Sequence, residues 1–207
     1  MALNIVYLVL LAAIFGALFR DGLWSNTITL INAVTAGLVA TGYFEPLAAW
    51  LTDYVSWMTY NWDALAAGGL FGAVYGALRL ITGRLSRYRV RFYSALDNVG
   101  SMLVALAVGW VGVCFLGFVL HTAPLGRNFL YGSFQPEQRM FFGLGPDRLW
   151  LGFVDRTSHG GGWGRNAVDA EGRVTSGFDP QGEFMIRYAS RRSFLEKQES
   201  AFYGFDK

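Results

Sequence analysis

Four long apolar runs, separated by short charged breaks, dominate the first 121 residues of the chain. They cover about residues 1–19, 26–43, 64–81 and 98–120, and the last run has 23 residues without a charge. At about 1.5 Å of rise per residue, a helix of about 20 residues crosses a hydrocarbon core of about 30 Å. The pattern predicts four transmembrane helices. The first run lacks a basic start and a clean cleavage site, which favours a retained helix over a signal peptide.

The stretch between the second and third runs, residues 42–63, has a different composition. It contains three acids and no Lys or Arg, and its Trp and Tyr residues alternate with polar ones. Because Trp and Tyr prefer the headgroup boundary, we expect a short amphipathic segment that lies on the membrane surface and does not cross it.

The C-terminal part of the chain has the composition of a segment in water. Residues 1–121 hold 11 charged side chains, whereas residues 122–207 hold 21. Its turn residues predict a mostly irregular segment with a flexible glycine loop at 159–164. A short helix could start with Pro146 at its first position, and Glu183–Tyr188 could be a strand or the start of a helix. Its aromatic residues predict that the segment docks on the helices, the membrane surface or a partner. The expected fold is an all-α membrane protein, with a four-transmembrane-helix domain over 1–124 followed by an aromatic-rich segment over 125–207.

Composition and charge exclude several classes of protein. The chain is 53% apolar and 15% charged, with a mean hydropathy of +0.32, which is not the composition of a soluble domain. Its net charge of +2 does not provide the basic field that nucleic-acid binding requires. The single cysteine, Cys114, cannot form a disulfide within the chain.

Arginines are concentrated in one predicted loop, at residues 83–97, and the loop at 42–63 has no basic residue. Short loops rich in Lys and Arg face the cytoplasm. The arginine-rich loop is therefore expected in the cytoplasm, and the N-terminus and the C-terminal segment on the other side. The alternative role for these side chains is contact with anionic lipid. The arginines are Arg84, Arg87, Arg89 and Arg91.

Glycines on the third run recur every four residues, at Gly68, Gly72 and Gly76. This spacing places them in one smooth ridge of a helix, where another backbone can approach closely. The partner is either a helix of the same chain, which we expect, or a helix of another subunit. No Gly-Lys-Ser/Thr follows these glycines, so they do not form a phosphate loop.

The second run carries intramembrane polar residues, among them Asn32 and Thr35. A buried amide in lipid needs a partner, so we expect Asn32 to bond another helix. The alternative is a polar lining for a conduction path. No Asp, Glu or His lies in the middle of a predicted span, which argues against a proton relay.

Catalytic motifs are absent from the sequence. There is no Gly-x-Ser-x-Gly elbow and no His-Glu-x-x-His. The only two histidines are His121 and His159, and no further ligands lie beside them, so a zinc site is not expected. We expect no enzyme activity, no cofactor and no bound metal.

Several stretches between residues 4 and 124 resemble the colicin V production protein family (CvpA). They include Gly16-Ala-Leu-Phe-Arg20-Asp-Gly22, Leu30-Ile-Asn32-Ala-Val-Thr-Ala-Gly37, the glycine-rich third run, and Ala95-Leu-Asp97-Asn-Val-Gly100 with the fourth run that follows it. Asn4 stands where the family commonly has an aspartate. The resemblance implies a four-helix protein of the bacterial inner membrane, linked to production or export of a peptide toxin and to envelope homeostasis.

Together these features predict a non-enzymatic membrane scaffold or assembly subunit. The expected partners are the lipid bilayer, with anionic lipid as one possibility, and a homo-oligomer or larger membrane complex. The alternative is a small transport or channel component that forms a path between protomers. A continuous water column past Asn32 and Thr35 would favour transport, and a dry helix contact would favour the scaffold.

The topology can be tested by thiol labelling in a Cys114→Ala background. A cysteine introduced within residues 84–92 should be shielded from an impermeant reagent in intact cells, and one at residue 160 should be labelled, because positively charged loops stay inside. The opposite labelling pattern would mean that the orientation is inverted.

Overall fold

A computed structural model describes most of the chain. It covers residues 1–55, 60–85, 94–125, 129–131, 133–134, 138–159, 165–168, 174–179 and 182–203. The predicted cytoplasmic arginines Arg87, Arg89 and Arg91 and the glycine loop at 160–164 lie outside the described residues.

Four long helices occupy the N-terminal part of the chain. They are α1 (Ala2–Leu18), α2 (Leu23–Tyr54), α3 (Trp62–Leu85) and α4 (Ser94–Thr122). By length and composition α2, α3 and α4 can cross a membrane, and α1, with 17 residues, is a shorter apolar helix. All four predicted runs are therefore helical. α2 packs against α3 and α4, and α1 packs against α4.

Helix α2 does not end where the sequence pattern suggested. The second span was expected to stop near Tyr43 and give way to a surface segment, but α2 continues to Tyr54 with Pro46 inside it. Proline removes one helical hydrogen bond and normally favours a break. Here Phe44 and Ala48, on either side of Pro46, are buried in the larger of two apolar cores, which we call the main core. Tertiary packing therefore holds the helix together across the proline.

The C-terminal segment is more regular than the sequence pattern suggested. It contains helix α5 (Pro146–Ser158), a two-stranded antiparallel hairpin of β1 (Arg165–Val168) and β2 (Val174–Gly177), and helix α6 (Phe184–Tyr203). As the sequence predicted, α5 has Pro146 in its first turn. Glu183 to Tyr188 allowed either a strand or a helix, and α6 resolves this as a helix. Both carboxylate oxygens of Asp179 accept backbone N–H groups at its start, at 2.9 Å.

Two apolar cores hold the chain together. The main core joins α2, α3 and α4 to α5 and α6, and it includes Phe118, Trp150 and Phe184. The smaller core joins α1 and α4 to the chain that follows α4, through residues such as Tyr7 and Phe141. The described part of the C-terminal segment is therefore docked on the helices, as its aromatic content predicted.

Candidate functional site

The docking of the C-terminal segment centres on Trp150 of α5. A Cβ atom on Gly37 of α2 would lie 2.5 Å from the Trp150 ring, so only glycine leaves room for it. The indole Nε1 donates a hydrogen bond to Thr41 Oγ1 at 3.0 Å, and the Thr41 hydroxyl donates to the Gly37 carbonyl at 2.8 Å. The ring also meets Phe115 of α4 edge to face, with centroids 5.7 Å apart. Trp150 thus binds α5 to both α2 and α4.

A buried polar pair makes the second contact between α5 and α4. His121 Nε2 lies 2.8 Å from Asp147 Oδ2, and neither side chain is exposed. A Cβ atom on Gly117 would lie 3.2 Å from Asp147, so a glycine again allows the close approach. Removing one member of such a pair leaves the other buried without compensation, which is strongly destabilising. The pair therefore specifies how α5 lies against α4.

Three arginines of α6, which we call the α6 arginines, connect this helix to three membrane helices. Arg187 pairs with Glu45 of α2, Arg191 pairs with Asp63 of α3, and Arg192 donates to the His121 carbonyl of α4 at 2.8 Å. Between them lies Tyr188, a member of the main core, and burial raises the pKa of its phenol. The sequence pattern did not identify these contacts.

Helices α2 and α3 are joined by hydrogen bonds between side chains. The Asn32 amide of α2 donates to Thr82 Oγ1 of α3 at 2.9 Å, and Arg79 of α3 donates to Thr29 Oγ1 of α2. Asn32 therefore bonds another helix, as expected. Thr35 lies on an exposed side of α2 and is not brought together with Asn32. The structure thus uses the Asn32 amide in a contact between helices and leaves Thr35, beside that face, exposed.

The turn between α1 and α2 is bonded to the start of α4. Asp97 Oδ1 accepts the Leu23 N–H at 2.9 Å, which satisfies a free donor at the first turn of α2. The buried Asn26 amide donates to Ser101 Oγ at 2.9 Å, and the Ser101 hydroxyl donates to the Asp21 carbonyl. These residues lie in or beside the stretches that carried the family resemblance, and their hydrogen bonds give them a structural role.

Within the described part of the chain, the glycine ridge of α3 does not pack against another element, contrary to our expectation. A Cβ atom on Gly68, Gly72 or Gly76 would meet no atom of the described residues within 4 Å. Helix α3 instead turns its other side inward, where Ala67 is buried and the Phe71 ring stacks on Phe115. Aromatic rings bury more area than glycine does, which explains why this side faces the core.

The remaining candidate residues of the sequence pattern do not form a site in the described part of the chain. Arg84 lies exposed in the last turn of α3. His121 and His159 have different neighbours: His159 is half exposed and lies beside Asp155, four residues earlier. No group of three or more His, Cys, Asp or Glu side chains that could hold a metal is found among the described residues.

The arrangement defines a multi-pass α-helical membrane protein with a C-terminal segment docked on its helices. Residues 3–135, more than half of the chain, match the protein family described as Colicin V production protein. The chain belongs to this family. Neither the curated proteins nor the solved structures gave a significant match.

One signal in the sequence could have identified the α6 arginines. The stretch at residues 42–63 holds three acids without a base, and residues 187–192 hold three arginines without an acid. Opposite charges on two segments expected on the same side of the membrane indicate a contact between them. The pairs Glu45–Arg187 and Asp63–Arg191 are two such contacts.

Replacing Gly37 by alanine should destabilise the protein, because the new methyl group would lie against the Trp150 ring. Overpacking a core costs about 1–3 kcal/mol. The matched control is Gly16→Ala in α1, where the same methyl group meets nothing within 4 Å. The control should be neutral or slightly stabilising, since alanine favours a helix over glycine by about 1 kcal/mol. The free energy of unfolding in detergent is measured for both variants. Equal changes in the two would contradict the close packing of the Trp150 ring on Gly37.

Removing single α6 arginines should have unequal effects. Arg187 is about half exposed, and exposed ion pairs contribute only about 0.2–1 kcal/mol. Arg192 is buried, and hydrogen bonds from charged groups contribute about 1.5–3 kcal/mol. Chymotrypsin should therefore cleave α6 much faster in Arg192→Ala than in Arg187→Ala. Chymotrypsin cuts after aromatic residues, so neither substitution changes its sites; faster cleavage of Arg187→Ala would be the contrary result.

Proposed function

We propose that this protein is a non-enzymatic scaffold or assembly subunit of the bacterial inner membrane, in which α3 binds a second copy of the chain. Its membership of the Colicin V production protein family supports a role in the production or export of a peptide toxin. The docked C-terminal segment, on the extracytoplasmic side, and the open face of α3 are the surfaces through which it would assemble. In this proposal α1 is the fourth transmembrane helix.

The observation that carries this proposal is a contrast between two groups of glycines. Glycines of α2 and α4 lie where a Cβ atom would come within about 2.5–3.2 Å of another element of the chain, and this group consists of Gly37, Gly100, Gly109, Gly112 and Gly117. The ridge of α3, by contrast, meets nothing within 4 Å. The glycines of this first group allow close contacts between helices of the same chain. The open ridge of α3 therefore favours a close contact with a helix of another chain.

A second copy of the chain suits this face better than a charged partner does. From Ala64 to Leu78 the helix carries no charge, so the face offers no charged group that would select a different protein. Small residues pack best against small residues, because both backbones can then approach. In a dimer with twofold symmetry the same patch meets itself, and each ridge would provide the small residues that the other requires.

Among the described residues, no contact favours the alternative of a transport component. The Asn32 amide bonds Thr82, so the polar group that was the candidate lining of a path is used in a contact between helices. Thr35, three residues further along α2, is exposed. These contacts support a scaffold.

Cysteine crosslinking across the ridge tests the proposal. In a Cys114→Ala background, Gly72→Cys should form a disulfide-linked dimer when membranes are oxidised, because the two ridges would lie in contact. Gly16→Cys is the matched control, since Gly16 is also open but lies on α1 without a ridge of glycines. Gly72→Leu should weaken the dimer about tenfold or more, as overpacking of about 1–3 kcal/mol implies.

The same variants separate assembly from folding. Gly72→Leu should leave the unfolding of the monomer unchanged, since no described atom of the chain lies near the new side chain. Gly16→Leu should change neither property. A dimer that survives Gly72→Leu, or one that crosslinks equally well through Gly16→Cys, would contradict the proposal.

A further inference from the structure

An open cavity of about 320 Å³ lies at the beginning of α1, beside the chain that follows α4. Its polar side chains include Asn4 in the first turn of α1, Ser133, Gln138 and Arg139. Ser133 Oγ accepts from the backbone nitrogens of Met1 and Ala2. Within the described part of the chain no hydrogen bond or ion pair occupies the side chains of Asn4, Gln138 and Arg139, in contrast to the α6 arginines. The cavity thus collects unused hydrogen-bond donors at one end of the membrane helices.

The donors suit a phosphate group. The Arg139 guanidinium presents a planar fork that binds two phosphate oxygens, and the amides provide neutral donors beside it. No Asp or Glu lines the cavity, so among the described residues no carboxylate of its wall repels an anion. Met1 also lines the cavity, and its amino group already donates to Ser133 Oγ at 3.1 Å. The Arg139 guanidinium is therefore the charged group of the described wall that is available to pair with a phosphodiester.

Exposed aromatic rings surround the same cavity. Tyr131 is 97% exposed and Phe142 is 71% exposed, and both belong to its wall. Soluble surfaces rarely group such side chains, but aromatic residues are enriched where a membrane protein meets the headgroups. The cavity touches the first turn of the apolar helix α1, which is where that boundary is expected.

The backbone of the cavity wall is strained. Tyr131, Phe141 and Phe142 have φ values of 57°, 54° and 54°, in the left-handed region that bulky residues seldom adopt. All three line the cavity. Residues held in this region tend to occur at ligand-binding sites, where the surroundings maintain the strain. These residues give the wall its shape, and the surrounding structure must maintain their conformation.

We propose that this cavity binds the phosphodiester of an anionic phospholipid headgroup. Arg139 holds the phosphate oxygens, the amides of Asn4 and Gln138 donate to them, and the rings of Tyr131 and Phe142 lie at the boundary between headgroups and acyl chains. The site shares no residue with the glycine ridge of α3. A test of lipid binding is therefore independent of the test of the proposed assembly.

The test uses the full chain in a neutral detergent. Dioctanoyl phosphatidylglycerol, dioctanoyl phosphatidylcholine and glycerol 3-phosphate are titrated by calorimetry into the parent, Arg139→Ala and Arg156→Ala. Arg156 is the matched control, because it is an exposed arginine of α5 that does not line the cavity. The parent should bind phosphatidylglycerol best, and Arg139→Ala should weaken this binding about tenfold or more. Arg156→Ala should bind like the parent.

A second variant distinguishes a lipid from a soluble phosphate. Phe142→Ala should weaken binding of phosphatidylglycerol and leave glycerol 3-phosphate unaffected, because only the lipid has chains that reach the ring. Equal affinity of the parent and Arg139→Ala for phosphatidylglycerol would overturn the proposal. Glycerol 3-phosphate binding as tightly as the lipid would overturn the assignment to a membrane headgroup.

Discussion

The arrangement of the C-terminal segment depends on the packing of the Trp150 ring against Gly37. An indole ring occupies the space that a missing side chain leaves in a membrane helix, and its N–H finds an acceptor in Thr41. A buried indole without that acceptor would lose a hydrogen bond to water without replacement. Once the ring is in place, α5 lies against α2 and α4, and the His121–Asp147 pair forms about one turn earlier on α5.

The α6 arginines extend this docking to the ends of the membrane helices. Each contacts a different helix, so α6 connects α2, α3 and α4 to one another on the side where the C-terminal segment lies. At the opposite end, Asp97 and the Asn26–Ser101 hydrogen bond connect the α1–α2 turn to α4. Asp63, Asp97 and His121 thus make their polar contacts near the ends of α3 and α4, where a polar group costs less than in the middle of the lipid.

Helix α3 occupies a special position in this arrangement. It is bonded to α2 through Asn32–Thr82 and to α6 through Asp63–Arg191, yet its glycine ridge meets nothing within the described chain. Helices α2 and α4, in contrast, have glycines at close contacts within the chain, such as Gly37 and Gly117. A scaffold that assembles through α3 and binds lipid near the start of α1 would use two separate surfaces, so assembly and lipid binding could vary independently.

The sequence by itself determined where the helices of the membrane part lie, because the length and hydropathy of an apolar run are properties of consecutive residues. It also indicated the family, the start of α5 at Pro146 and the docking of the aromatic C-terminal segment. Only the tertiary structure decided that α2 continues through Pro46 and that α6 is a helix. In both cases, side chains buried in the main core favour the helix. Periodicity alone did not predict whether α2 continues past Pro46 or whether the start of α6 is a strand.

The tertiary structure also decided which side of each helix faces the core. Trp150 and Thr41 are 109 positions apart, and Arg191 and Asp63 are 128 apart. No local period relates residues at such distances. The glycine spacing on α3 therefore predicted a smooth ridge correctly but not its partner, because a close contact depends on two surfaces and the sequence pattern describes only one of them.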